Sequence, residues 1–295
     1  MANVIKKALT VVAAATLLLI FPQIAVAAIK ATASIYPLAH FARQVGGSLT
    51  DVETITPTGV EPHEYDPAPK DIRRIYSSRV FIYNGAGLEP WAERIAPLLH
   101  KQDILTVKAT TGITLAVTNG QPDPHVWLDP VLAQKLIETI CKSFIKADPK
   151  NEHAYRSNAD GYINKLRALD EKFRDGLKSC KTRKIVSSHA AFTYLAARYD
   201  LKTLVLSGLP PSEEPSPRRL GEIVKIARAE GIKYIFFASL TSPKIAGTVA
   251  REIGAATLVL NPCEGLTPSD VASGRDYISI MEDNLRNLRI ALSCQ

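Results

Sequence analysis

The chain has 295 residues and a formal net charge of +7, from 36 Lys and Arg against 29 Asp and Glu. So mild and scattered an excess excludes a dedicated nucleic-acid surface. The length exceeds what one hydrophobic core usually serves, which predicts two domains.

Lys6 and Lys7 precede an uncharged apolar stretch from Ala8 to Val26 that ends in Ala25-Val26-Ala27. A positive start, an apolar run and a small-residue cleavage pattern predict a secretory signal peptide over residues 1–28. Pro22 and Gln23 interrupt the run, which argues against a permanent span of about 20 apolar residues. No Cys lies near Ala27 or Ala28 to take a lipid anchor, so the expectation is a freely diffusing periplasmic protein. Cleavage removes two lysines and no acid and leaves a charge of +5 on 267 residues.

Further along, short β-branched runs alternate with helical patterns, the signature of parallel sheets with crossover helices. In the first half, strands are expected at Lys30–Ile35, Val52–Ile55 and Val80–Tyr83. They alternate with helices near Pro37–Val45, Lys70–Ile75, Trp91–Leu99 and Val131–Ala147. The second half repeats the style, with strands at Lys184–Ser188, Thr203–Leu206, Tyr234–Phe237 and Thr257–Leu260. Between the halves, Tyr155, Tyr162, Leu166, Leu169, Phe173 and Leu177 recur on one helical face in a stretch without proline. A helix of about 27 residues there spans about 40 Å. The expected architecture is α/β: lobes over 29–148 and 181–295, joined by one long rigid helix within 149–180.

Candidate chemistry sits in loops. In Gly59-Val60-Glu61-Pro62-His63-Glu64-Tyr65-Asp66-Pro67, prolines and a glycine stiffen the support of His63. Asp123-Pro124-His125-Val126-Trp127-Leu128-Asp129-Pro130 repeats the Pro-His device ahead of a helix start. Asp123 or Asp129 could hold the far nitrogen of that imidazole, as ligand-orienting groups do in metal sites. His189 follows Val186-Ser187-Ser188 at a strand-to-helix junction, where open α/β sheets bind ligands. Ser187 and Ser188 lack the G-x-S-x-G elbow of a serine hydrolase.

These loops, together with Ser212-Glu213-Glu214-Pro215-Ser216, Ser242-Pro243-Lys244 and Leu260-Asn261-Pro262-Cys263-Glu264-Gly265-Leu266-Thr267, make the chain resemble the zinc and manganese substrate-binding proteins of ABC importers, the cluster A-I or cluster 9 family. The resemblance implies two α/β lobes with metal held in the cleft by two side chains from each. Carried over by position, these are His63 and His125 from the first lobe, and His189 and Glu264 from the second. Asn261 stands where many relatives carry an aspartate ligand, and it or water is the alternative for the fourth position. Histidine rather than carboxylate at position 189 favours Zn2+ as cargo, with Mn2+ or iron as the alternative; three imidazoles and a carboxylate suit four-coordinate zinc. The implied partner is an inner-membrane ABC permease, and a monomer is expected. The chain departs from the family at Ala238, where relatives commonly carry glutamate, and in a short segment at 117–122 without a His-rich loop.

Two other classes compete. A secreted zinc hydrolase would leave the fourth position to water and use Glu61 or Glu64 as general base, but no H-E-x-x-H is present. A surface adhesin on the same fold would need an anchor. His40, His100 and His153 are expected to stay outside the site, and Trp91 and Trp127 to serve packing. An even set of four cysteines in an oxidising compartment predicts two disulfides. The pairing Cys141–Cys180 with Cys263–Cys294 is expected, since it would pin the loop of Glu264 to the C-terminal segment.

Overall fold

The computed structural model describes residues 28–118, 120–208 and 216–295. The expected signal peptide and most of the Ser212–Ser216 stretch lie outside the described residues. Among those described, no helix is long and apolar enough to cross a membrane.

Two four-stranded parallel sheets organise the chain. The first contains β1 (Ile29–Ala33), β2 (Thr50–Thr54), β3 (Val80–Tyr83) and β4 (Leu105–Lys108) in the order β2-β1-β3-β4. After a short antiparallel pair, β5 (Val117–Thr118) with β6 (Gln121–Pro122), the second sheet contains β7 (Lys184–Ser187), β8 (Lys202–Val205), β9 (Tyr234–Phe237) and β10 (Ala256–Val259). Its order is β10-β9-β7-β8, again wholly parallel. The expected strands are all present, shifted by a residue or two at their ends.

Helices cover the sheets: α1 (Tyr36–Gly46), α2 (Pro69–Tyr76), α3 (Pro90–His100) and α4 (Pro130–Ala147) in the first half, and α6 (Thr193–Arg198), α7 (Pro217–Ala229), α8 (Lys244–Ile253), α9 (Pro268–Ala272) and α10 (Tyr277–Leu292) in the second. Proline stands in the first turn of most of them, where its fixed φ suits the helix and its missing N–H has no intrahelical acceptor to lose. The connector α5 runs from Glu152 to Leu177 and buries the predicted stripe, Tyr155, Tyr162, Leu166, Leu169, Phe173 and Leu177. Gly176 admits α10 to close packing on it, since a Cβ there would sit 3.0 Å from Leu285 Cδ1.

One apolar core runs from β1 and α1 through α4 and α5 to Ile185, Phe236 and α10, so both sheets share it. Smaller clusters sit on the outer faces, around Phe81 and Trp91 in one half and Ile223 and Ile235 in the other.

The cysteine pairing differs from expectation. Cys180 is bonded to Cys294, while Cys141 and Cys263 are buried free thiols. The physical reason is the return of the C-terminal helix to the end of α5: Lys181 N–H donates to the Leu292 carbonyl beside an antiparallel bridge between Cys180 and Cys294. Cys141 lies on the buried stripe of α4, and Cys263 is sealed in the loop after β10, so neither faces that junction.

Candidate metal centre

Each predicted ligand follows the carboxyl end of a strand. His63 sits in the loop after β2, on a single 3-10 turn (Pro62–Glu64) where the Glu61 carboxylate accepts its backbone N–H at 3.4 Å. His125 ends the segment after β4. The Asp123 carboxylate accepts both its backbone N–H at 3.0 Å and its ring Nδ1–H at 2.7 Å, which turns Nε2 toward the cleft. His189 is two residues beyond β7, and Glu264 five beyond β10.

The two halves bring these four side chains together, with one possible ligand atom from each within 4.8 Å of all the others. Glu264 Oε1 is the centre of the group, 3.2 Å from His63 Nε2, 2.7 Å from His125 Nε2 and 3.1 Å from His189 Nε2. The nitrogens of His63 and His125 are 3.1 Å apart. A tetrahedral zinc site with bonds of about 2.0–2.1 Å has ligand edges of about 3.3 Å, so an outward shift of a few tenths of an ångström admits the ion. The second carboxylate oxygen, Glu264 Oε2, is buried and has no N–H donor among the described residues, with the Glu61 carboxyl as a neighbour. A dication satisfies such a group, whereas an unpartnered buried carboxylate oxygen is costly.

Charge inside this buried space is strongly biased. Burial by itself would raise the Glu264 carboxyl, yet the surrounding imidazoles, His189 foremost, hold it well below the usual range. For His125, burial opposes protonation, but hydrogen bonds to Asp123 and Glu264 outweigh it and lift the group to about 9. His189 is lowered, by burial above all. Glu61 is pushed up to about 8 by burial and by the charge of Glu264.

The remaining candidates fall elsewhere. Asp129 does not touch a ligand; it caps α4 through Val131 N–H at 2.8 Å and pairs with Arg198 at 3.0 Å. The Asn261 amide oxygen accepts Cys263 N–H at 2.8 Å and so shapes the loop in which Cys263 adopts φ +55°. His100 and His153 are exposed, as is Glu64. His40 is buried, its Nε2 2.8 Å from the Tyr162 hydroxyl of α5.

Several further residues hold the loops around this centre, and sequence reasoning missed two of them, Tyr194 and Asn284. The Tyr194 hydroxyl accepts Ala116 N–H at 2.9 Å and donates to the Asp123 carbonyl at 2.8 Å. Trp127 Nε1–H donates to the Pro262 carbonyl at 2.7 Å, and Gly59 N–H to the Leu266 carbonyl at 2.9 Å. Asn284 brackets Asn261, accepting its N–H and donating to its carbonyl, both at 2.7 Å. Gly59, Pro262 and Leu266 lie in loops the sequence already marked, and Trp127 carried a signal in its nearness to His125, whereas Tyr194 and Asn284 carried none.

Residues 32–291 match the sequence profile of a family described as zinc-uptake complex component A, periplasmic. Among curated relatives, the zinc-binding lipoprotein AdcA of Streptococcus pneumoniae is 39% identical over 270 residues, 86% of this chain and 54% of AdcA, so the chain spans about half the length of that relative. The high-affinity zinc uptake system protein ZnuA of Bacillus subtilis is 36% identical over 272 residues, 87% of this chain and 85% of the relative. Among solved structures, the Zn(II)-bound ZnuA-like domain of S. pneumoniae AdcA is similar with a TM-score of 0.81 at 39% identity, covering 90% of this chain and 99% of that one. Laminin-binding protein Lmb of Streptococcus agalactiae, described as bifunctional with adhesin and metal transporting activity, gives 0.83 at 32% identity over 90% and 99% of the two chains.

Proposed function

The chain belongs to the family of zinc-uptake complex component A, and from that premise we propose that it captures Zn2+ outside the inner membrane and delivers it to an ABC permease. The observation that carries the reading is the convergence of His63, His125, His189 and Glu264 on one buried point between the halves. In this proposal they are the four ligands, Asp123 orients His125, and Asn261 shapes the loop. The lobes are 29–148 and 181–295, with 149–180 as the connector, and residues 1–28 direct export to the periplasm.

The reading is binding and not catalysis, because Glu264 fills the position that a hydrolytic zinc leaves to water. Binding requires deprotonated imidazoles, so zinc displaces the proton that Asp123 and Glu264 favour on His125. Release at the permease requires that the permease hold an opened form, since a partner shifts a conformational equilibrium only through differential affinity.

Titration of the chelator-stripped chain with zinc and manganese tests the cargo. One tightly held zinc that excess manganese does not displace supports the proposal; a preference for manganese sinks the zinc assignment. An adhesin reading has the likeness to Lmb behind it. Cell fractionation separates the two, since a periplasmic carrier leaves the cell on osmotic shock and an adhesin stays on the surface.

A further inference from the structure

The four proposed ligands are unequally shielded. The side chains of His125 and Glu264 are 0% exposed and that of His189 is 1%, whereas that of His63 is 8%. His63 also borders a cavity of about 300 Å³ whose other walls include Ala86, Leu88, Gln121, Pro122 and Pro124.

The walls of this cavity are tied together. Asn84 and Gly85 donate their backbone N–H groups to the buried Glu89 carboxylate at 2.9 and 3.0 Å. The Asn84 side-chain amide donates to the Pro124 carbonyl at 3.0 Å, next to His125. The loop over Gly85, Ala86 and Gly87 runs through three successive left-handed residues, φ +78°, +56° and +83°, a course that glycine at two of the three places permits. Among the described residues, no Lys or Arg lines the cavity, so a dication meets no fixed like charge from them on the way in. Apart from His63, the described lining residues offer no imidazole, carboxylate or thiol to hold zinc short of the centre.

Among the described residues, the flanks at His125 and His189 are closed. The Trp127 ring lies 5.3 Å from that of His125 and is fully buried. His189 is packed between Ser188 and Ala190 at the end of β7, both buried.

Building on the ligand set proposed above, we propose that zinc enters and leaves past His63 through this cavity, with His63 the last imidazole to engage and the first to let go. The three enclosed ligands then form the half-site that first receives the ion.

Chemical rescue tests the route. His63→Gly, His125→Gly and His189→Gly are each titrated with zinc, with and without millimolar free imidazole, after circular dichroism has shown each to be folded. Imidazole is expected to restore the affinity of His63→Gly by about tenfold and to leave the other two weakened, since among the described residues His63 borders a cavity that admits a small molecule while His125 and His189 are enclosed. Equal or better rescue at His189 or His125, or none at His63, overturns the route while leaving the ligand set intact. Three variants that bind zinc as tightly as the parent chain would instead overturn the ligand set. Independently of those variants, Gln121→Trp narrows the cavity from an exposed position. It is expected to slow both zinc association and zinc loss to a chelator several-fold with Kd unchanged; unchanged rates overturn the route.

Discussion

At the scale of residues, the proposed site depends on how its imidazoles are held. His125 is the clearest case: its ring is fixed by Asp123 at 2.7 Å, and Asp123 is itself held by Tyr194 from the other half. Asp123→Ala is therefore expected to weaken zinc binding by about 10- to 100-fold, as loss of such an orienting partner generally does, with little change in the fold. Calorimetry of the variant checks it, and an unaltered Kd would remove Asp123 from the account. His40 titrates for a different reason. Burial, assisted by Arg43 and Lys165 and opposed by Asp276, lowers it to about 4. The unfolded chain binds that proton from about pH 6.5 downward, so stability is full above pH 6.5 and is lost as pH falls toward 4, by roughly 3 kcal/mol. Urea unfolding of metal-free protein across that range should show a flatter pH dependence in His40→Gln, and parallel slopes would refute the assignment. His63 and His125 were legible in the sequence because prolines mark a stiff support within one or two residues. Tyr194 and Asn284 were not, because each acts on a residue 71 or 23 positions away that only the folded chain brings near.

At the scale of elements, periodicity was enough for α5, whose buried face is the one the seven-four-three spacing predicts. Strand positions were legible only to within a residue or two, because where a strand ends depends on its hydrogen bonds to neighbouring strands as well as on local sequence. The cysteines show where local reasoning stops. Four thiols allow three complete pairings, yet a single bridge forms, and which one depends on where α10 ends relative to α5. The bond between Cys180 and Cys294 closes a separation of 114 residues, for which chain entropy alone gives about 4–5 kcal/mol. Cys180→Ala with Cys294→Ala is accordingly expected to lower unfolding free energy by a few kcal/mol and to leave zinc stoichiometry at one, because the bridge lies at the ends of α5 and α10 and no cysteine is a ligand. A non-reducing peptide map showing Cys141 or Cys263 in a bridge would contradict the pairing.

At the scale of the whole molecule, two parallel sheets present their carboxyl ends to one centre, each half supplying two of its side chains. The shared core through α5 and α10, and the hydrogen bonds of Tyr194, Trp127 and Gly59 across the cleft, favour small relative movements over wide opening. Family resemblance made this layout legible before any coordinates. The continuity of the core was not legible, since it depends on packing between distant segments. An ion that binds only the folded form stabilises it by about 4 kcal/mol at a thousand times Kd, which for a chain of this size is a rise in Tm on the order of ten degrees. Scanning calorimetry with and without zinc reads that shift, and its absence would mean that the ion does not engage the folded centre. The most direct test of the central claim is competitive zinc titration of the stripped chain beside His63→Ala, His125→Ala, His189→Ala and Glu264→Ala. The account predicts one zinc per chain, with each variant at least about 100-fold weaker, since removal of one partner strands the buried groups left behind. Retention of parental affinity by any of the four would contradict the assignment of that side chain, and retention by Glu264→Ala would undo the closed four-coordinate site.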